Sequence, residues 1–539
     1  MGPRLRIAFV ALALTFTACA AACGRPTPDA AHSGTRSVRL AINADEGSLQ
    51  PYTYVSGYPG WNLLTLVYDT LFVLDEANTP RPWLARQDVV SDDGLTHTLH
   101  LRTDVRWHDG RPLTSADVAF SFDYYHRHPH GRWSAAVAPL GRVDTPDGAT
   151  VVLHLDAPYP SLALRLLADV PIVPAHLWQG IEDPKAFAAS VGSGPFVLAE
   201  YQPDRLYRLT ANRAHFAGPP AVDELLLPVV ADPAAAFAGL ESGELHATAR
   251  ELPPELLPRF SGRTDVTVVR GAGFATTLLQ FNTERRPWSD ARVRRAVGLA
   301  IDTTALVETV LLGQGTPGNP GWLHPRLPDH DPSIAARFAP DEARALLDEA
   351  GLRDRDGDGL RDLAGAPLVA ELLVQANQPG RIRAAELIAA SMKAVGLAVR
   401  VRAEEAGSLT AKVWPDFDVA RGRSFDWTMF GWSAPLMVDP LRITGLVDSD
   451  PRFGSNNIGG YRSAEADRLS RTLRTAANAD DRRVALHALE SLIARDRPFV
   501  LLWYADLAYA YRPAAYDGWR FQAGQGLLHK LSFVRLAGD

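Results

Sequence analysis

Between Leu95 and Trp107 apolar and polar positions alternate. Leu95, Leu99, Leu101, Val105 and Trp107 fall on one parity; Thr96, Thr98, His100, Arg102, Asp104 and Arg106 fall on the other. Successive side chains of a strand point to opposite faces, so the pattern predicts a strand with one buried and one solvated face. His108-Asp109-Gly110 supplies the turn after it. Thr114, with Asp117 three residues on, predicts a capped helix through Tyr125. Ser37 to Ile42 reads as a short alternating strand, and the stretch from Gly194 to about Pro228 is strand-rich. Further along, the period becomes helical. Ser289-Asp290 caps a helix with Val293, Ala296, Val297, Ala300 and Ile301 on one face, and Asp302 caps the next, which ends near Gly313. Pro340-Asp341-Glu342 opens a third, with Ala343, Leu346, Leu347 and Ala350 inward and Gly351 closing it. Mixed strands and helices of this kind indicate an α/β protein of more than one lobe, without internal repeats.

The N-terminus departs from these patterns. Arg4 and Arg6 precede twelve apolar residues, Ile7 to Ala18, too few to span a bilayer and fitting the apolar region of a signal peptide. Cysteines follow small residues at Ala18-Cys19 and Ala20-Ala21-Ala22-Cys23, which resemble the cleavage and acylation box of bacterial lipoproteins. Cys23 is the favoured lipidation site because three small residues precede it; Cys19, with Phe16 three residues before it, is the alternative. Residues 1–22 are then the signal peptide. Residues 23–36, rich in Pro, Gly and Ser, form a flexible tether. A plain secretory signal with incidental cysteines is the plainer alternative.

Both cysteines of the chain lie in this leader, so the rest carries no disulfide and no cysteine-ligated zinc or iron–sulfur site. The 539 residues suffice for two or three cores, and composition is globular, 46% hydrophobic and 22% charged. A net charge of −7 without a basic stripe argues against nucleic acid.

Five blocks in order resemble the family 5 extracellular solute-binding proteins of peptide, nickel and opine type ABC importers. The hallmark is Ser91-Asp-Asp-Gly-Leu-Thr, followed by Leu-Arg-Thr-Asp-Val-Arg-Trp-His-Asp-Gly-Arg-Pro-Leu-Thr-Ser-Ala-Asp-Val-Ala-Phe-Ser-Phe122. The others are Gly192-Ser-Gly-Pro-Phe196 with Asn212 and Phe216; Leu240-Glu-Ser-Gly-Glu-Leu245; Phe281-Asn282 with Asp290 to Ala296 and Ala300-Ile-Asp302; and Asp496-Arg-Pro-Phe-Val-Leu-Leu502. The resemblance implies a periplasmic-binding-protein-like α/β fold of the large type II cluster, with two lobes and an inserted extra domain. Lobe one would combine 37–63, 191–278 and 497–539; the inserted domain would be 64–190, and lobe two 279–496. A ligand would sit between lobes that close on it. The implied partners are a small-molecule or peptide ligand, ABC permease and ATPase subunits, and the membrane through the lipid anchor. The chain would be a monomer on the outer face of the cell membrane.

The motifs that carry chemistry are weighed against plainer readings. Gly192-Ser193-Gly194-Pro195 lacks the glycine spacing of a nucleophile elbow, and Gly271-Ala-Gly273 lacks the third glycine of a dinucleotide loop. His126-Arg-His128-Pro-His130 carries donors suited to a transition metal, but alternating histidines in such a loop read better as solvated surface. Asp354, Asp356 and Asp358 with Gly359 resemble half of a calcium loop. The twelfth position is Gly365 rather than a bidentate glutamate, so an Asp/Gly turn is preferred. No cofactor is indicated. Phe425 to Asp439 is the segment expected to line the cleft, with Trp427, Phe430, Trp432, Leu436 and Asp439 as ligand-contacting candidates. Phe425, Trp427 and Met429 share one parity, Phe430 and Trp432 the other, so one face would be core and the other cleft. Tyr52, Tyr54 and Tyr58 are further candidates for the same cleft.

The leading function is a transport receptor, with a ligand sensor for a membrane signalling partner as alternative. A lipid-anchored hydrolase is the rival class, but no nucleophile, metal set or carboxylate pair supports an enzyme. One departure bears on the ligand. Peptide-binding relatives usually carry an acid four positions before the proline of the Asp-Pro pair, where it receives the peptide ammonium. Here that pair is Asp439-Pro440, the position holds Leu436, and Trp432 to Val438 contains no acid. The ligand is thus expected to be neutral at that end or held by other groups. Asp439 is a candidate substitute anchor, although an acid before proline more often serves its own turn. The leader itself gives a direct test. Cys23→Ala should abolish incorporation of a labelled lipid precursor, and Cys19→Ala should not; the reverse result would move the anchor to Cys19.

Overall fold

The computed structural model describes residues 36–53, 58–130, 132–476 and 478–536. The leader, with Cys19 and Cys23, and the tether up to residue 35 lie outside the described residues. Among those described, no helix is long and apolar enough to cross a membrane.

An eleven-stranded mixed sheet organises the chain. Its strands, in chain order, are β1 (Ser37–Ala41), β2 (Phe196–Gln202), β3 (Leu206–Ala211), β4 (Glu224–Pro228), β5 (Ala247–Thr248) and β6 (Thr267–Phe281). Then follow β7 (Gly315–Pro317), β8 (Val369–Gln375), β9 (Ala398–Glu404), β10 (Trp427–Trp432) and β11 (Phe499–Tyr511). They lie in the order β9-β8-β10-β6-β11-β5-β1-β4-β3-β2, with β7 paired to β11. The two long strands are central. β6 and β11 run antiparallel from Thr267 opposite Tyr511 to Gln280 opposite Phe499, with register shifts between Ala272 and Ala275 and between Thr277 and Leu278.

Alternation along these strands feeds the cores on either side. Phe499 and Leu501 enter one core with Leu278, Phe425 and Trp432, while Val500 and Leu502 enter the opposite core with Leu279, Trp427 and Met429. Further along β11, Leu507, Tyr509 and Tyr511 join a third core, and Ala508 and Ala510 a fourth. The third core is continuous. It takes in β1, β3 and β4, and also Trp83, Leu99, Phe122 and Trp178 from the region of the inserted segment. That region carries its own antiparallel sheet, in the order Ala85–Val90, Thr96–Leu101, Thr150–Leu155, Leu140–Asp147.

The local expectations can be set against these elements. The alternating stretch forms the strand Thr96–Leu101, shorter than its pattern, because residues 102–104 turn away. Leu99, Leu101, Val105 and Trp107 are buried as the parity requires. The helix after it spans Ser115–Arg127, with the Thr114 N–H donating to Asp117 Oδ2 at 2.9 Å. Asp290 and Asp302 cap the helices Ala291–Leu299 and Thr303–Val310, and the third helix is Pro340–Glu349, with Ala343 and Leu347 buried.

One buried ionic cluster ties the ends of the chain together. The Lys530 ammonium donates to Asp69, 461 residues away, and both side chains are almost wholly shielded from solvent. Trp83 Nε1 and Ser193 Oγ also donate to Asp69, at 2.7 and 2.9 Å, and the His215 ring lies 3.6 Å away. Burial by itself would raise the Asp69 carboxyl; the Lys530 ammonium and the His215 ring outweigh it and hold the group well below the usual carboxylate range. The cluster explains Gly192-Ser193-Gly194. An added Cβ on Gly192 would stand 1.9 Å from the Val67 carbonyl oxygen, so the backbone approaches only as glycine and brings Ser193 to Asp69. Removing one partner of a buried pair strands the other charge. Lys530→Met should therefore cost about 3–5 kcal/mol in urea-induced unfolding, and Asp69→Asn added to it should recover part of that loss. A loss under about 1 kcal/mol would be that of a solvated surface pair.

Candidate functional site

The central strands continue into a cavity of about 480 Å³. Leu507 and Tyr509 of β11 and Gly273 and Ala275 of β6 line one side. Ser433 and Ala434, just after β10, close a second side. Asn43 after β1, Glu251 after β5, and Gln525 and Leu528 near the C-terminus complete the wall. The lining thus comes from segments up to several hundred residues apart, gathered by the β6–β11 ladder.

The floor is a break in the ladder. Gly273 and Phe274 have no partners between Ala272 and Ala275, so β6 bulges there. Phe274 takes a φ of 59°, a conformation that costs a side-chain-bearing residue on the order of 1 kcal/mol or more. An added Cβ on Gly273 would lie 2.4 Å from the Ala505 carbonyl oxygen. His324 packs edge-on against both Phe274 and Tyr504, with ring centroids 5.0 and 4.7 Å apart, and burial pushes its ring down to about 4, so it is neutral at pH 7. The Gly524 N–H donates to the Ala272 carbonyl at 2.9 Å, and an added Cβ on Gly524 would meet Ala434 at 2.8 Å. The Gly271-Ala-Gly273 pair of glycines therefore serves a bulge, not a nucleotide loop.

Among the described residues that line the cavity, Glu251 is the one carboxylate, with Arg250 beside it. It has no hydrogen bond or ion pair with any described residue. Its side chain meets the water of the cavity, while the enclosing walls push its carboxyl above the ordinary range. Tyr509 shares the wall; burial raises its hydroxyl, and Glu251 raises it further.

The residues singled out from the sequence are distributed differently. Trp427 is fully buried, with its ring against Trp288 and Phe281, so it belongs to a core. Trp432 is also buried and Phe430 half-buried; both pack on Trp414. Both faces of β10 are therefore covered by protein, and the cavity wall begins one residue after the strand, at Ser433. Asp439 is buried; its Oδ1 accepts from Ser161 Oγ at 2.7 Å and from the Leu441 N–H at 3.1 Å, while its Oδ2 has no hydrogen-bond partner among the described residues and lies 3.9 Å from Arg442 Nε. Tyr52 is buried among Tyr124, Tyr125 and Trp178, its hydroxyl donating to the His128 carbonyl. Tyr54 and the side chains of Leu436 and Tyr58 lie outside the described residues. Of the three histidines, His126 is exposed, whereas His128 stacks on Tyr124 and His130 on Trp133. Asp354, Asp356 and Asp358 are exposed and bring oxygens within 4.8 Å of one another. Those oxygens already accept N–H groups of Gly357, Asp358, Gly359 and Leu360, as an Asp/Gly turn does. Glu251, Ser433, Tyr509 and Gln525 were not among the expected site residues; no periodicity or spacing marks them.

Comparison with known proteins gives this geometry a context. Residues 79–452 match the profile described as bacterial extracellular solute-binding proteins, family 5 Middle. The chain is 33% identical over 383 residues to a Brucella abortus (strain 2308) chain named as an ABC transporter peptide-binding protein, covering 69% of this chain and 71% of that one. Its fold is similar to the oligopeptide-binding protein AppA of Bacillus subtilis in complex with a nonapeptide, with a TM-score of 0.70, 21% identity, and 93% and 99% of the two chains covered. It is also similar to NikA of Brucella suis in complex with Fe(III)-EDTA, with a TM-score of 0.76, 22% identity, and 88% and 95% covered.

Proposed function

The chain belongs to the family 5 bacterial extracellular solute-binding proteins, and from that premise we propose that the cavity at the β6–β11 bulge is its ligand cleft. The protein is a solute-binding receptor of an ABC importer, with the type II periplasmic-binding-protein fold. The observation that carries the reading of the cleft is its lining, drawn from segments of separate cores across two shared strands. A cavity of about 480 Å³ is of the size that takes a small solute or short peptide.

The finer organisation follows the same reading. Lobe one comprises 37–63, 191–278 and 497–539, with 64–190 inserted in it and 279–496 forming lobe two. The cores support this division, since one draws on residues 38–247 and 507–534, and two others on residues 272–505. Residues 1–22 act as signal peptide, and Cys23, or alternatively Cys19, carries the lipid that holds the receptor at the outer face of the membrane. It works as a monomer, without a cofactor and without catalysis, handing its ligand to permease and ATPase subunits.

The ligand is not gripped as a free peptide N-terminus by the loop after β10. Trp432 to Val438 carries no acid, and the buried Asp439 carboxylate has its Oδ1 held by Ser161 and Leu441 and its Oδ2 beside the Arg442 guanidinium, and it is not among the residues that line the cavity. Ligand contact on this side comes instead from Ser433 and Ala434.

Native mass spectrometry of the chain purified from its own cells should find one small molecule per chain. Added back at a hundredfold excess over its dissociation constant, that molecule should stabilise the fold by about 2.7 kcal/mol and be recovered unchanged. Its consumption during incubation would favour the hydrolase instead.

A further inference from the structure

We propose that Glu251 is the cation-recognising group of the cleft, so that the transported solute presents an ammonium or guanidinium group to it. This rests on reading the cavity as the ligand site. The backbone around Glu251 is pinned on both sides. The Ala249 N–H donates to the Ala41 carbonyl, and the Leu252 N–H to the Ala508 carbonyl at 2.7 Å. The two neighbouring side chains are committed elsewhere. Arg250 sends its guanidinium to the Ala231 carbonyl at 2.8 Å, and Leu252 is buried in the core with Phe237 and Leu257. Arg250 also lines the cavity, but its terminal NH2 group is spent on Ala231, whereas the Glu251 carboxylate has no hydrogen-bond partner among the described residues.

Burial among the cavity walls raises its carboxyl, and the Glu251 side chain makes no ion pair with any described residue, the neighbouring Arg250 included. The water that now solvates this carboxylate is displaced when a solute fills the cleft, and a cation brought by the solute would replace those lost hydrogen bonds. Tyr509, on the same wall, adds an aromatic neighbour for such a cation. Glu251 is exposed to solvent, but the solvent it meets is that of the cavity, whose wall it shares with buried Leu507 and Tyr509. The acid missing from the loop after β10 is thus replaced from the opposite side of the cleft.

The test uses the full processed chain and, as probe, the small-molecule extract released by heating wild-type protein purified from its own cells. The extract is assayed by calorimetry untreated, and after its amines are acetylated and its guanidinium groups blocked with phenylglyoxal. Two variants accompany wild type: Glu251→Gln, which keeps shape and removes charge, and Ser433→Trp, which fills the cleft from an exposed position. The untreated extract should bind wild type, the treated extract should not, and Glu251→Gln should weaken binding by about 30-fold or more. Binding to Glu251→Gln within about threefold of wild type, or undiminished binding of the treated extract, overturns the proposal. If Ser433→Trp still abolishes binding in that case, the cleft reading stands without it. Binding that survives Ser433→Trp, or an extract with no component that binds wild type, overturns the cleft reading and this proposal together.

Discussion

Two antiparallel strands, Thr267–Phe281 and Phe499–Tyr511, are the constraint on which the rest of the molecule depends. The second of them contributes side chains to all four hydrophobic cores. A strand that feeds cores on both faces and at both ends cannot shift register by one residue without turning each buried side chain outward. The ladder therefore fixes the cores relative to one another. Of its two register shifts, the one at Gly273 and Phe274 lies at the cavity, where Gly273 and Ala275 belong to the lining.

The second constraint is polar. Asp69, Ser193, His215 and Lys530 form a cluster with almost no access to solvent, joining the start of the inserted segment to the C-terminal segment. Gly524, Gln525 and Leu528, shortly before Lys530, line the cavity. A buried ion pair contributes little net stability against an apolar substitute, but it is strict about geometry, because either partner alone is expensive. Its use here is to place one wall of the cleft. Asp439 has a similar role on the other side, where its hydrogen bond from Ser161 links the loop after β10 to the inserted segment.

Local order was legible in the sequence, and long-range convergence was not. The helix caps at Asp290 and Asp302 and the buried parity of Leu99, Leu101 and Trp107 are decided by neighbours a few residues away, and they lie where the patterns put them. β10 shows the limit of parity. Alternation separates Trp427 from Phe430 and Trp432 correctly, but it cannot say what covers each face, and both faces proved to be covered. Glu251 carries no periodic or spacing signal. Its meaning comes from the approach of Ser433, Tyr509 and Gln525, and from the engagement of Arg250 and Leu252 elsewhere. The family resemblance pointed to the aromatic residues of this strand, which the structure buries, whereas the cavity lining begins with the two residues after it.

The central claim is that two lobes close over the cavity about the broken ladder. Small-angle X-ray scattering of the purified chain, without solute and then saturated with the molecule it retains, tests this most directly. Closure predicts a smaller radius of gyration and a shorter maximum dimension on saturation, reversed when the solute is removed. Saturation confirmed by calorimetry in the same sample, with scattering curves that superimpose, would contradict it.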